Sequence, residues 1–437
     1  MDLFDLGGRA FRSRLRRELP RWRAEGLVSD TGAAELARRY HLDEEGVSVA
    51  AAAIYTLGAL LIGGGVISFV AWNWDDLGRF AKLSILFAAL VAAHGTGYWM
   101  WRIANRLPKL GHALMLVGTL VFGASIGLVA QIFHIPSTAG TGYGLWAIGA
   151  AVAAYALGSV PNGVLGAILA AIWGCARVSD AESLYAVVPY AVALPFFPLA
   201  WRLRSRLLFF VTALASLFVM GWAATSEAEE FIAFAAAVSA GALLLLAFSC
   251  WAREGTTAAH FARVAHLTGL LALAPVLFLC SFGDIAGDAS WTELSDEPWS
   301  WVGFAIPAAA GAAALFALGG ARALLDRPAT LCAVVGALLL VLALVPVNPE
   351  GTGAIAANVA LAAVAIAAVT SAVRTLERAP FWAGSVLGVA LILSRFVEFE
   401  TELWLKAIVF LASGIAVIWF GIVFERRKRV VQAAGHA

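Results

Sequence analysis

The chain of 437 residues is 61% hydrophobic and 14% charged, with a mean hydropathy of +0.84 and a formal net charge of +1. Soluble domains hold about 45–50% apolar and about 25% charged residues, so the composition excludes a soluble globule and points to a polytopic membrane protein. The small net charge hides a strong segregation of the two signs along the chain, which reports orientation.

Residues 1–46 read as a small cytoplasmic helical hairpin. A basic amphipathic helix over about Gly8 to Glu25 carries Phe11, Leu15, Leu19 and Trp22 on one face and arginines around the rest. Gly26 stops it, and Ser29 or Asp30 caps a second helix running to about Tyr40. A basic helix beside a first span favours the anionic inner leaflet and acts as a topology signal. A nucleic-acid partner is not expected, because neither aromatic interleaving nor a recognition motif is present. The first apolar run begins near Val47 with no short signal-type segment before it, so this span is expected to remain as an anchor.

From there to residue 424 the chain reads as an all-α transmembrane bundle. A bilayer core about 30 Å thick takes roughly 20 apolar residues per helix. Spans are expected near 47–72, 81–101, 112–135, 143–159, 162–177, 184–201, 207–225, 231–252, 264–282, 300–320, 329–346, 354–373, 380–395 and 403–424, fourteen in all. The short pairs around Ser159–Asn162 and 380–395 are the weakest, and reading either as a re-entrant hairpin gives twelve spans with unchanged parity.

Loop charge tests this map independently of hydropathy. With the N-terminus inside, the inner set holds the nine arginines before the first span, then Arg102, Arg106, Lys109, Arg202, Arg204, Arg206, Arg253, Arg263, Arg322, Arg327, Arg374 and Arg378. The basic tail (425–437) adds Arg426, Arg427, Lys428 and Arg429, giving 25 of the 30 basic residues. Only Arg79, Lys82, Arg177, Arg395 and Lys406 fall outside, where the carboxylates gather. Both termini are therefore expected in the cytoplasm, with the protein multi-pass in the inner (plasma) membrane. Tryptophans such as Trp72, Trp101, Trp173, Trp201 and Trp251 fall near helix ends, as an interfacial belt requires.

The segment from Leu19 to about Ala151 resembles a family of predicted bacterial membrane proteins known as domain of unknown function 2157. The matching pieces are W-R-A-E-G-L-V from Trp22 to Val28, the Asn73-Trp74 pair, Lys82, and G-A-S-I-G-L-V-A-Q-I-F-H-I from Gly123 to Ile135. Ala130 and Phe133 depart from the pattern, which has glycine and tyrosine beside the glutamine. The resemblance implies a polytopic membrane protein and supplies no activity.

Polar side chains inside a bilayer are costly and mark candidate sites. Asn73, Asp75 and Asp76 end the first span, Arg79 and Lys82 open the second, and Gln131 and His134 end the third. All are expected at the outer surface, converging on a polar substrate pocket because sequential helices joined by short loops pack as neighbours. The competing account makes the charged members a solvated cap between helices. His94 lies about 18 Å of helix rise beyond Lys82, as a proton relay, a ligand-binding group or a packing residue. Gly58, Gly63, Gly64 and Gly65, and the Gly123–Gly127 and Gly384–Gly388 steps, are expected to let helices approach closely.

The four cysteines form no C-x-x-C pair, and no metal or cofactor is expected; Cys175 and Cys280 both fall near the outer surface, which leaves a disulfide open without the sequence deciding it. The expected spans carry no Asp or Glu near the bilayer centre, and Walker, H-E-x-x-H and G-x-S-x-G motifs are missing. Three function classes remain. The first is a transporter or flippase-like protein for a small or lipid-linked solute. The second is a non-transporting envelope sensor or assembly factor with a membrane-protein partner or a second copy of itself. The third is an intramembrane enzyme acting through His134, Asp75 or Asp76. Many helices without long soluble domains favour transport.

Overall fold

The computed structural model describes residues 15–16, 18–39, 77–104, 108–136, 139–180, 188–228, 231–252, 256–282, 352–375 and 378–398, with isolated helical positions around 313, 334–335 and 404–426. The spans expected at 47–72, 300–320 and 329–346, and much of 403–424, lie outside the described residues, as do Gly58 and Gly63–Gly65. Every regular element among the described residues is a helix. They are α1 (Asp30–Arg39), α2 (Arg79–Tyr98) with a π-helical extension Trp99–Ile103, α3 (Pro108–Phe133), α4 (Ala139–Leu157), α5 (Val160–Asp180), α6 (Val188–Arg202), α7 (Arg206–Ala228), α8 (Phe231–Trp251), α9 (Ala259–Cys280), α10 (Thr352–Thr375) and α11 (Arg378–Glu398).

Among the described residues, seven helices are both long and apolar enough to cross a membrane: Arg79–Ile103, Leu110–Phe133, Val160–Val178, Arg206–Thr225, Phe234–Trp251, Ala259–Cys280 and Ala354–Val373. The pair around Ser159–Asn162 is longer than expected, whereas the apolar part of α11, Phe381–Arg395, is as short as expected. α4 has 19 residues, and α5 and α11 have 21 each, or about 28–32 Å at 1.5 Å per residue. α6 is the short one, with 15 residues and Pro195 and Pro198 inside it.

The chain divides into two compact units, residues 1–92 and 93–437. In the first, Leu15, Leu19 and Ala33 form a small core with Trp22, Val28, Leu36 and Ala37 packed around it. The apolar face of the first helix is thus occupied by α1. Gly26 (φ +71) turns the chain, with Gly26 N–H on the Arg23 carbonyl and Leu27 N–H on the Trp22 carbonyl. This Schellman pattern satisfies the last carbonyls of the helix. The Ser29 hydroxyl caps α1 by accepting from Gly32 N–H at 3.2 Å, and Arg23 pairs with Asp30 across the turn.

In the second unit, helices adjacent in sequence pack side by side. One end of this bundle gathers the α4–α5 turn, the α6–α7 corner and the start of α9: Leu203 approaches Gly158, and Arg206 Nε donates to the His260 carbonyl at 3.1 Å. The opposite end gathers the end of α9, the start of α10 and the end of α11, through Ser281, Asn358 and Arg395. Phe196, Phe261, Leu199 and Leu208 are fully buried in one core, and Leu246, Leu273, Leu277 and Leu361 in another.

Lipid tails are as apolar as leucine, so helix association in a bilayer rests on close contact rather than on escape from water. Glycines supply it here by seating large side chains. Trp146 sits on Gly123, Trp173 on Gly144, Phe122 on Gly149, Phe196 on Gly166 and Phe234 on Gly221. Only some of the small-residue steps bring backbones together. A Cβ on Gly384 would lie 2.8 Å from the Ala365 carbonyl, and one on Gly111 would lie 2.7 Å from the Gly97 carbonyl. Gly123 instead holds an indole, and nothing lies within 4 Å of a Cβ on Gly127. The Gly123–Gly127 step is therefore a single seat rather than a backbone crossing.

Candidate functional site

Of the polar residues singled out by the sequence, Asn73, Asp75 and Asp76 lie outside the described residues. Arg79 is exposed at the start of α2, and Lys82 is half-buried, its N–H bonded to the Gly78 carbonyl at 3.1 Å. These two belong to the first unit. Gln131 and His134 close α3 in the second unit, and both are exposed.

His134 has φ +54, the left-handed region that L-residues other than glycine enter at a cost of about 1–2 kcal/mol. Its N–H bonds the Gln131 carbonyl at 3.3 Å, and Ile135 N–H bonds the Ala130 carbonyl at 2.9 Å. The end of α3 is therefore closed by the Schellman pattern with histidine where glycine is usual. Arg204 (φ +48) does the same at the end of α6, with Ser205 N–H on the Ala200 carbonyl at 3.0 Å.

His94 is half-buried in α2, and its imidazole fills the space above Gly118 of α3. A side chain at residue 118 would overlap the ring. Of the roles open to His94 in the sequence, this geometry accounts directly for packing between the second and third expected spans. At the next residue of α3, the Trp146 indole N–H donates to the Thr119 carbonyl at 2.9 Å.

An apolar furrow of about 480 Å³ runs between α5 and α7, lined by Ile168, Ala171, Ile172, Cys175, Val211, Leu214, Ala215 and Phe218. Ile168, Ile172 and Phe218 are exposed on it. The furrow exposes almost no polar surface, so it suits a hydrocarbon chain and offers nothing to orient a polar solute. Sequence reasoning missed it, since uniformly apolar helices show no pattern that separates a crease from a lipid-facing ridge.

Two polar clusters also went unnoticed. At the far end of the bundle, Arg395 Nη1 donates to the Ser281 carbonyl at 2.8 Å and Nη2 to the Ser281 hydroxyl at 3.0 Å, with the guanidinium 4.9 Å from the Phe282 ring centroid. Asn358 Nδ2 donates to the same Ser281 carbonyl at 2.8 Å. The cation and amide thus close the C-terminus of α9, where helix carbonyls lack partners and the dipole is negative. Arg395 was visible in the sequence as one of the few cations that violate the loop charge pattern.

At the arginine-bearing end, His260 Nε2 lies 2.9 Å from the Arg204 carbonyl while Arg206 Nε donates to the His260 carbonyl. A carbonyl only accepts, so Nε2 carries the proton in this contact. The clasp is backed by a stack in which Phe261 lies 5.4 Å from Trp201 and 5.1 Å from Phe209, centroid to centroid.

Among the described residues, no group of three His, Cys, Asp or Glu side chains could hold a metal ion, and Cys175, Cys250 and Cys280 form no disulfide. The Cys175–Cys280 disulfide that the sequence left open is not formed.

The hairpin turn at Trp22–Val28, the α2–α3 pair and the Gln131–His134 cap all fall within one stretch of chain. Residues 20–162 match the family of predicted membrane proteins DUF2157. The DUF2157 segment begins one residue later than the sequence resemblance suggests and continues through α4 and the α4–α5 turn to Asn162. It covers about a third of the chain, leaving the furrow, the Arg395 cluster and the Arg204–His260 clasp outside it. No curated protein and no solved structure matches the chain.

Proposed function

We propose that this is a multi-pass protein of the inner (plasma) membrane that moves a lipid or a lipid-linked solute, with about fourteen spans and both termini in the cytoplasm. The observation that carries this reading is the furrow between α5 and α7. Both helices are among the seven suited to crossing a bilayer, and the furrow opens on their shared surface. Its volume falls within the roughly 300–1,000 Å³ of ligand sites. An acyl chain would lie against Ile172 and Phe218. Gln131 and His134, exposed at the end of α3 in the same unit as the furrow, would receive the head group.

The orientation is supported by where the basic residues sit in the bundle. Arg202, Arg204 and Arg206 share one end with the start of α9, which bears Arg263. Arginine-rich ends are retained on the cytoplasmic side.

Reconstitution into vesicles containing a short-chain fluorescent phospholipid tests the reading. Quenching from outside by an impermeant reductant should bleach the inner-leaflet lipid faster than in protein-free vesicles. Plugging the furrow with Ala171→Trp or Ala215→Trp should return the rate toward that of empty vesicles. A wild-type rate equal to that of empty vesicles would overturn the proposal.

A second reading, a sensor or assembly factor acting on a membrane-protein partner or a second copy, rests on the hairpin having a core of its own. Deleting residues 1–40 would then abolish the cellular response yet leave lipid movement, if present, intact.

A further inference from the structure

The end of the bundle that holds the Arg204–His260 clasp is rich in cations. Arg202, Arg204 and Arg263 are exposed and Arg206 is half-buried, and none of them pairs with a carboxylate among the described residues. The carboxylates Asp180, Glu227 and Glu398 close α5, α7 and α11 at the opposite end of the bundle. In sequence, the connection between α8 and α9 adds one charge of each sign, Arg253 and Glu254, and leaves the balance positive.

One histidine gathers two of these arginines. His260 Nε2 donates to the Arg204 carbonyl at 2.9 Å, and the His260 carbonyl accepts from Arg206 Nε at 3.1 Å. Arg206 is thus engaged through Nε, and the two Nη groups at the end of its fork have no partner among the described residues. A guanidinium held in this way is prepared for two-point contact with a phosphate.

Two tryptophans mark the depth of the cluster. Trp201, 40% exposed, stacks on Phe261, whose ring lies 4.9 Å from that of His260. The chain of rings runs on through Phe209 and Phe248 to the exposed Trp251, with 6.0 Å between centroids at each of the last two steps. Exposed indoles favour the head-group level of a bilayer.

We propose that the clasp is a binding site for the phosphate of an anionic phospholipid drawn from the surrounding bilayer. The free fork of Arg206 takes the phosphate oxygens, Arg202 and Arg204 supply further positive charge, and Trp201 packs beside the glycerol. Charge selects an anionic lipid over a zwitterionic one, and the flanking indoles select a lipid over a soluble phosphate. The site does not depend on lipid movement through the furrow.

Native mass spectrometry of the full chain, titrated in detergent with dioleoyl phosphatidylglycerol or dioleoyl phosphatidylcholine, tests the site. Phosphatidylglycerol should bind more tightly, and one arginine at the membrane surface is worth about fivefold in affinity for an anionic lipid. Arg206→Gln and Arg204→Gly should each weaken phosphatidylglycerol by about that factor and leave phosphatidylcholine unchanged. Arg204→Gly keeps the carbonyl that meets His260 and relieves a left-handed residue, so it is decisive even if Arg206→Gln fails to assemble. Arg102→Gln removes the same charge from the end of α2 and should bind like the wild type. Equal wild-type affinity for the two lipids would overturn the proposal, as would unchanged phosphatidylglycerol binding in Arg204→Gly. An equal loss in Arg102→Gln would show diffuse attraction in place of a site and would also overturn it. Displacement of phosphatidylglycerol by inorganic phosphate would assign the clasp to a soluble anion, with the same consequence.

Discussion

The imidazole of His94 occupies the space that Gly118 leaves open on the neighbouring helix. The pairing lets the end of α2 lie close to α3, within a turn of Gly97 and two turns of Gly111, where the two backbones cross. It also predicts a one-sided response to mutation. Gly118→Ala must displace the ring, at a cost of about 1–3 kcal/mol as for other overpacked sites. Adding His94→Ala should recover part of that loss in a double-mutant cycle read by thermal unfolding. Additive losses would contradict direct packing.

Trp146 and Gly123 form a comparable pair with a polar handle. Trp146→Phe keeps most of the ring but forfeits the bond to the Thr119 carbonyl, a loss of about 0.5–1.5 kcal/mol. Gly123→Ala should destabilise more, because the indole must leave its seat. Equal melting temperatures for the two variants would contradict this ranking.

His134 and Arg204 hold left-handed positions at the ends of α3 and α6. Replacing either by glycine should raise stability by about 0.5–1 kcal/mol, the relieved strain being partly offset by the extra backbone freedom of glycine. The Arg204 contact with His260 survives the change because the carbonyl makes it. If His134 serves the proposed head-group site, His134→Gly will melt higher and move lipid more slowly. A higher melting temperature with unchanged lipid movement would remove His134 from the site.

The Arg395 cluster should behave as a structural clamp. Arg395→Met removes two charge-assisted bonds to Ser281 and should cost about 1.5–3 kcal/mol. Arg395→Lys should recover little, because an ammonium cannot reproduce the planar two-point contact. Full rescue by lysine would show that charge alone matters there.

Much of the fold was legible because hydrophobic length is a one-dimensional signal. Helices α2 to α11 each overlap a span expected from the sequence, and the turn at Gly26 and cap at Ser29 follow from local backbone chemistry. The site was legible only in part. Arg79, Lys82, Gln131 and His134 were marked by polarity at helix ends, yet polarity does not reveal which helix faces meet. His94 was ambiguous for the same reason, since its role depends on Gly118, 24 positions away. The furrow was hidden because it depends on the rotation of α5 and α7 about their axes, which near-uniform apolar sequences do not encode.

Sidedness tests the account most directly, since the proposed site and furrow both take their direction from it. Single cysteines placed at Ala181 and Arg426 in a cysteine-free background can be probed in intact cells with a membrane-impermeant maleimide. The cysteine at 181 should react at once, and the one at 426 only after the membrane is permeabilised. Labelling of position 426 in intact cells, with position 181 protected, would contradict the threading of the chain.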